Sequence, residues 1–109
     1  MAFSYKVLGQ SNPSATTNTT LYTVPAATQA VVSSITICNQ SSTPATVRIA
    51  VRPSGATLSA QHYIVYDSTV SGNDLLTIAI GISLAATDVV TVYASTSTMS
   101  FSLFGSEIA

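Results

Sequence analysis

Apolar and polar residues alternate with a period of two along most of this chain, and clusters of turn-forming residues interrupt the alternation. In "FSYKVL", Phe3, Tyr5 and Val7 share a face opposite Ser4 and Lys6. "LYTVP" reads as a short strand stopped by Pro25, and "AVVSSITICN" puts Val31, Ser33, Ile35 and Ile37 on one side. "ATVRIAVR" alternates cleanly: Val47, Ile49 and Val51 point one way, Thr46, Arg48, Ala50 and Arg52 the other. "QHYIVYD" predicts a strand with His62, Ile64 and Tyr66 on one face and Tyr63 and Val65 on the opposite one. "LLTIAIGISL" is more continuously apolar, the pattern of a strand covered on both sides. "VVTVYAST" follows, and "MSFSLFG" sets Met99, Phe101 and Leu103 against Ser100, Ser102 and Phe104.

The punctuation between these segments is "QSSTP", "PSG", "SGND" and "AATD", each supplying residues that favour turns. The stretch 9–20, "GQSNPSATTNTT", has no apolar face and reads as a polar loop or N-terminal arm. About eight strands with short connections and no helical periodicity predict an all-β chain, an antiparallel β-sandwich of jelly-roll type. Residues 1–109 fit one domain, long enough to bury roughly two-thirds of the chain's surface.

Composition narrows the function classes. Charged residues are 6% of the chain, with three basic side chains, four acidic ones and a net charge of −1. Nucleic-acid binding needs clustered Lys and Arg, so it is excluded, and so is a polybasic membrane anchor. The polarity comes instead from 17 serines and 16 threonines. With 47% hydrophobic residues, the chain lacks the low hydropathy and high charge of disorder. "MAFSYKVLG" carries no secretory pattern, which predicts synthesis in the cytoplasm, and no apolar run is long enough to span a bilayer.

Catalytic chemistry has little to build on. His62 is the only histidine, and no serine stands in a G-x-S-x-G elbow. His62 is expected to be a strand histidine facing solvent or a neighbouring subunit. Cys38, the only cysteine, cannot form an intrachain disulfide and is expected to be a small buried apolar residue. Asp67, Asp74, Asp88 and Glu107 are scattered and form no calcium-binding loop. The reading is therefore a non-enzyme without metal or cofactor.

The landmarks "LYTVPAATQAVVSSITICN", "RIAVRPSGATLSAQHYIVYD" and "ISLAATDVVTVYASTSTMSFSLFGSEI" resemble a family of small virion proteins of tailed bacteriophages, cyanophages among them. The resemblance runs from "YKVLGQ" to "FGSEI". It implies a β-sandwich that assembles as a trimer or higher oligomer in the virion. The expected role is a capsid decoration (cement) protein that binds the head, touches the major capsid protein and stabilises the shell. The alternative is a tail, baseplate or fibre component that recognises host-surface glycan.

Two of the three basic residues, Arg48 and Arg52, stand on one strand, roughly 13 Å apart. Arginine is enriched at interfaces, where its planar fork binds carboxylates and stacks on tyrosine. The candidate subunit interface is accordingly Arg48, Arg52, Tyr63, Tyr66, Asp67 and Asp74, with Arg48 or Arg52 reaching Asp67 or Asp74 of a neighbouring protomer or shell protein. Tyr63 and Tyr66 are three residues apart and are expected on opposite faces of their strand.

Overall fold

A computed structural model describes residues 3–79 and 81–109. The strands are β1 (Phe3–Ser11), β2 (Thr19–Thr23), β3 (Gln29–Asn39), β4 (Ala45–Arg52), β5 (Tyr63–Val70), β6 (Leu75–Ile78), β7 (Ile82–Leu84), β8 (Val89–Ala94) and β9 (Met99–Ile108). Two short 3₁₀ turns, Pro53–Gly55 and Ala60–His62, are the only helical segments among the described residues. One sheet has the order β1-β9-β3-β6, with β7 also on β3; the other has the order β2-β8-β4-β5. All the pairings are antiparallel. The first strand pairs with the last, the second with the next to last, and so inward. That nesting is the jelly roll, an antiparallel β-sandwich as the alternation predicted.

Alternation puts the core between the sheets. Val32, Ile35 and Ile37 of β3 and Phe101, Leu103 and Met99 of β9 face Val47 and Ile49 of β4 and Val90 and Val92 of β8, all fully buried. Their periodicity follows from strand geometry, because successive side chains leave opposite faces of a pleated strand.

Bulges change the parity. β1 is interrupted between Val7 and Gly9, and β3 between Val32 and Ser34. Both breaks lie beside Phe104 of β9, so the sheet bends along one row. Gly105, next to that row, has no room for a side chain, since a Cβ there would collide with the carbonyl oxygen of Val31. Each inserted residue flips the following side chains to the other face. Val32 and Ile35 thus both face the core although they are three positions apart.

Three expectations are corrected here. The apolar run 75–84 is not one doubly covered strand. It splits into β6 and β7, which form an edge of the sheet, and Leu75 is largely exposed; the part of the expectation that falls on Ile80 lies outside the described residues. The polar stretch 9–20 is partly strand: Gly9–Ser11 closes β1 and Thr19–Thr20 opens β2. The connection between them lies on its own chain rather than projecting as an arm. Pro13 is buried, Asn12 Nδ2 donates to the carbonyl oxygen of Ser97 at 3.0 Å, and the Thr16 amide donates to that of Ala94 at 2.8 Å. Cys38 is exposed, because β3 keeps its alternation after the bulge and turns Ile37 and Asn39 inward instead.

Candidate functional site

The outer face of the β2-β8-β4-β5 sheet holds most of the residues singled out in the sequence. Arg48 and Ala50 of β4 stand opposite Tyr93 and Thr91 of β8, pointing away from the core. Arg48 lies between two rings, its guanidinium carbon 4.3 Å from the centroid of Tyr66 and 4.4 Å from that of Tyr93. Its Nε donates to Asp67 Oδ1 at 2.6 Å and its Nη2 to Oδ2 at 3.3 Å. This fork-to-carboxylate pair makes the guanidinium still harder to deprotonate than usual, chiefly through the hydrogen bond to Asp67.

The expected partnership of arginine and aspartate is therefore present, but within one chain. Within the chain, Arg48 pairs with its own Asp67. Arg52 is committed locally as well. It donates to Thr91 Oγ1 at 3.0 Å and to the carbonyl oxygens of Ala56 at 3.0 Å and Gly55 at 3.4 Å, pinning the turn that follows β4. Asp74 lies in a different turn, where its side chain accepts from the Leu75 amide at 2.8 Å and its carbonyl accepts from the Asn39 amide at 2.9 Å. It does not join Arg48 or Arg52.

Tyr63 and Tyr66 do not diverge. Their rings meet edge to face, 5.0 Å apart at 82°. The cause is a bulge: Ala50 pairs with Tyr63 but Ile49 with Val65, leaving Ile64 as an extra residue. A second irregularity precedes Val47–Ser68 and includes Asp67, whose φ of 53° is left-handed. Together they gather Tyr63, Tyr66 and Asp67 around Arg48. No turn signal in the sequence marks these bulges.

Beside the tyrosines the segment 58–60 forms a wall. Asn18, Leu58, Ser59, Ala60, Tyr63 and Tyr66 enclose an open groove of about 750 Å³. His62, expected on a strand facing outward, is instead buried in the 3₁₀ turn behind this wall, where its Nδ1 accepts from the Ser59 amide at 3.1 Å. It serves to shape the loop.

Two further polar clusters escaped the sequence reading. Asn39, only 1% exposed, makes four side-chain hydrogen bonds. Nδ2 donates to the carbonyl oxygens of Thr43 (2.9 Å) and Val70 (3.3 Å); Oδ1 accepts from the Ser41 amide (3.0 Å) and Thr98 Oγ1 (3.2 Å). At the opposite end, Glu107 binds Lys6 Nζ at 2.6 Å and accepts from the Tyr22 hydroxyl. The hydrogen bonds from Lys6 and then Tyr22 hold the Glu107 carboxyl below its ordinary value. Burial, aided by Glu107, pushes the Tyr22 hydroxyl up. Long sequence separation hid both clusters: Lys6, Tyr22 and Glu107 meet only because β1 pairs with β9 over β2.

The outer face of the other sheet is unlike this one. Phe3 (60% exposed), Tyr5 (85%), Val7 (48%) and Val31 (38%) lie open to solvent. Register places Ile108 opposite Phe3 and Phe104 opposite Val7, so these two half-buried side chains extend the same strip. Lys6, between Tyr5 and Val7, points the other way, to Glu107. Among the described residues, no group of three or more His, Cys, Asp or Glu side chains gathers where it could hold a metal ion. Comparison with protein-family models, with curated proteins and with solved structures finds no match for this chain.

Proposed function

We propose that this chain is a structural protein of a tailed-bacteriophage virion, a decoration protein that assembles as a trimer on the head and stabilises the shell. The resemblance of its sequence landmarks supplies the context. The observation that carries the reading is the uncovered apolar strip of Phe3, Tyr5, Val7 and Val31. Contiguous exposed apolar patches larger than a few hundred Å² on a soluble domain mark contact surfaces. A standard interface covers about 800 Å² per partner, so the strip makes the centre of a modest contact. Many copies on one particle convert modest contacts into firm attachment.

Contact through a face also fits the condition of the edges. β1 has a bulge and an inward-pointing lysine, β2 has five residues and a bulge, β5 is bulged twice, and the remaining edge is broken into β6 and β7. Each device discourages strand addition. The low net charge offers no repulsion between copies. Jelly rolls serve widely as capsid domains, an analogy of fold that assigns no residue role.

Quantitative mass spectrometry of purified particles, with a particle reconstruction, tests the role: hundreds of copies on the head support it, and a handful on the tail or none at all reject it. Sedimentation tests the surface. Phe3→Ser with Tyr5→Ser should dissociate the oligomer while circular dichroism stays unchanged; a wild-type chain that is monomeric at micromolar concentration rejects the trimer.

A further inference from the structure

We propose that the groove bounded by Asn18, Leu58, Ser59, Ala60, Tyr63 and Tyr66 is a binding site for a neutral oligosaccharide. It lies on the sheet opposite the apolar strip, so it stands or falls apart from the assembly role.

The groove's volume, about 750 Å³, lies in the range of small-molecule sites. Its lining is uncharged, and the nearest charges, Arg48 and Asp67, neutralise each other at 2.6 Å. An ionic ligand would find no counter-charge there, and a nucleic acid no free cation. The lining combines two aromatic rings with an amide and a hydroxyl. A sugar ring presents a matching pair of surfaces: a C–H face that packs on an aromatic ring, and a rim of hydroxyls for Asn18 and Ser59.

Preorganisation supports the same assignment. Tyr66 is 59% exposed, yet it is held by Arg48 on its ring and by Tyr63 at 5.0 Å. Arg48 is fixed in turn by Asp67 and Tyr93. An exposed ring ordinarily loses rotamer freedom when a ligand stacks on it; this one has already lost it on folding. Two bulges in β5 bring these side chains together, and bulges commonly re-aim side chains at sites.

The test is two-dimensional NMR of the full chain titrated with cellotetraose, maltotetraose and the tetramer of N-acetylglucosamine, with tetragalacturonate as an anionic comparison. The expected result is saturable shifts at residue 18, 58–60, 63 and 66 for at least one neutral sugar and none for the anionic one. Tyr66→Ala should weaken binding at least tenfold. Asn18→Ala, at an exposed loop position, should weaken it several-fold with the fold intact. Tyr66→Phe should keep most of the affinity. Absence of shifts with all three neutral sugars, preference for the anionic one, or shifts that both alanine variants leave unchanged would overturn the assignment. Sedimentation of the same variants should match wild type, which separates this site from the assembly surface.

Discussion

Truncating Asn39 to alanine removes a side chain that ties three turns together. Its amide donates to Thr43 in the turn after β3 and to Val70 at the end of β5, and its oxygen accepts from Ser41 and from Thr98 before β9. Thr98 has a second partner in Thr96 at 2.8 Å, so its hydroxyl is rescued. Thr43 and Ser41 lie near the surface, where water replaces the lost partner and each costs about 1 kcal/mol. The bond to Val70 is buried, and orphaning that carbonyl costs about 1–3 kcal/mol. The total is roughly 3–5 kcal/mol, a large share of the 5–15 kcal/mol that typically holds a domain. Calorimetry should register a fall in Tm of roughly 12–20 °C for Asn39→Ala. Asn39→Asp sharpens the test. It points an oxygen at two carbonyls in a buried place, so its folded pKa lies above the unfolded value of about 3.9. Such an acid binds its proton more tightly when folded, so stability falls as pH rises from about 4 through the folded pKa. Urea unfolding should find Asn39→Asp more stable at pH 4 than at pH 7 relative to wild type. A loss below about 1 kcal/mol for the alanine variant, or no pH slope for the aspartate, would refute the reasoning.

Two other outcomes follow from the polar contacts. Glu107 has a folded pKa below the ordinary 4.5, so its contribution is present above that value and disappears as pH falls through the folded pKa. Glu107→Gln should flatten the acid limb of a stability–pH curve below about pH 4.5, by under about 1 kcal/mol given the half-exposed Lys6, and an unchanged limb would contradict the pairing. Arg48→Ala with Arg52→Ala should lower Tm and leave sedimentation unaltered; weakened assembly at an unshifted Tm would return these arginines to an interface.

The core and the class of fold were legible because their signal is local. Val47, Ile49 and Val51 alternate with Arg48 and Arg52 whatever else the chain does, and a strand of that pattern needs one covered face. What could not be read was parity across a bulge. Nothing in "YIVYD" announces that Ile64 is an extra residue, so Tyr63 and Tyr66 seemed to diverge, yet they touch. Likewise the pattern of "FSYKVL" separates two faces but does not say which is covered; pairing with β9 turned the aromatic face out and Lys6 in. Arg48 and Asp67 were recognised as partners by chemistry, while their sharing one chain depended on the pairing of β4 with β5.

The pairing of Phe3 with Ile108 has a temporal side. Nested pairings of this kind close long loops, which makes contact order high and folding slow. While the polypeptide is being made, β1 has no partner until β9, the last strand, has emerged. Until then the backbone N–H and C=O groups of β1 have no strand to pair with, a window in which chaperone capture or premature clumping competes with completion.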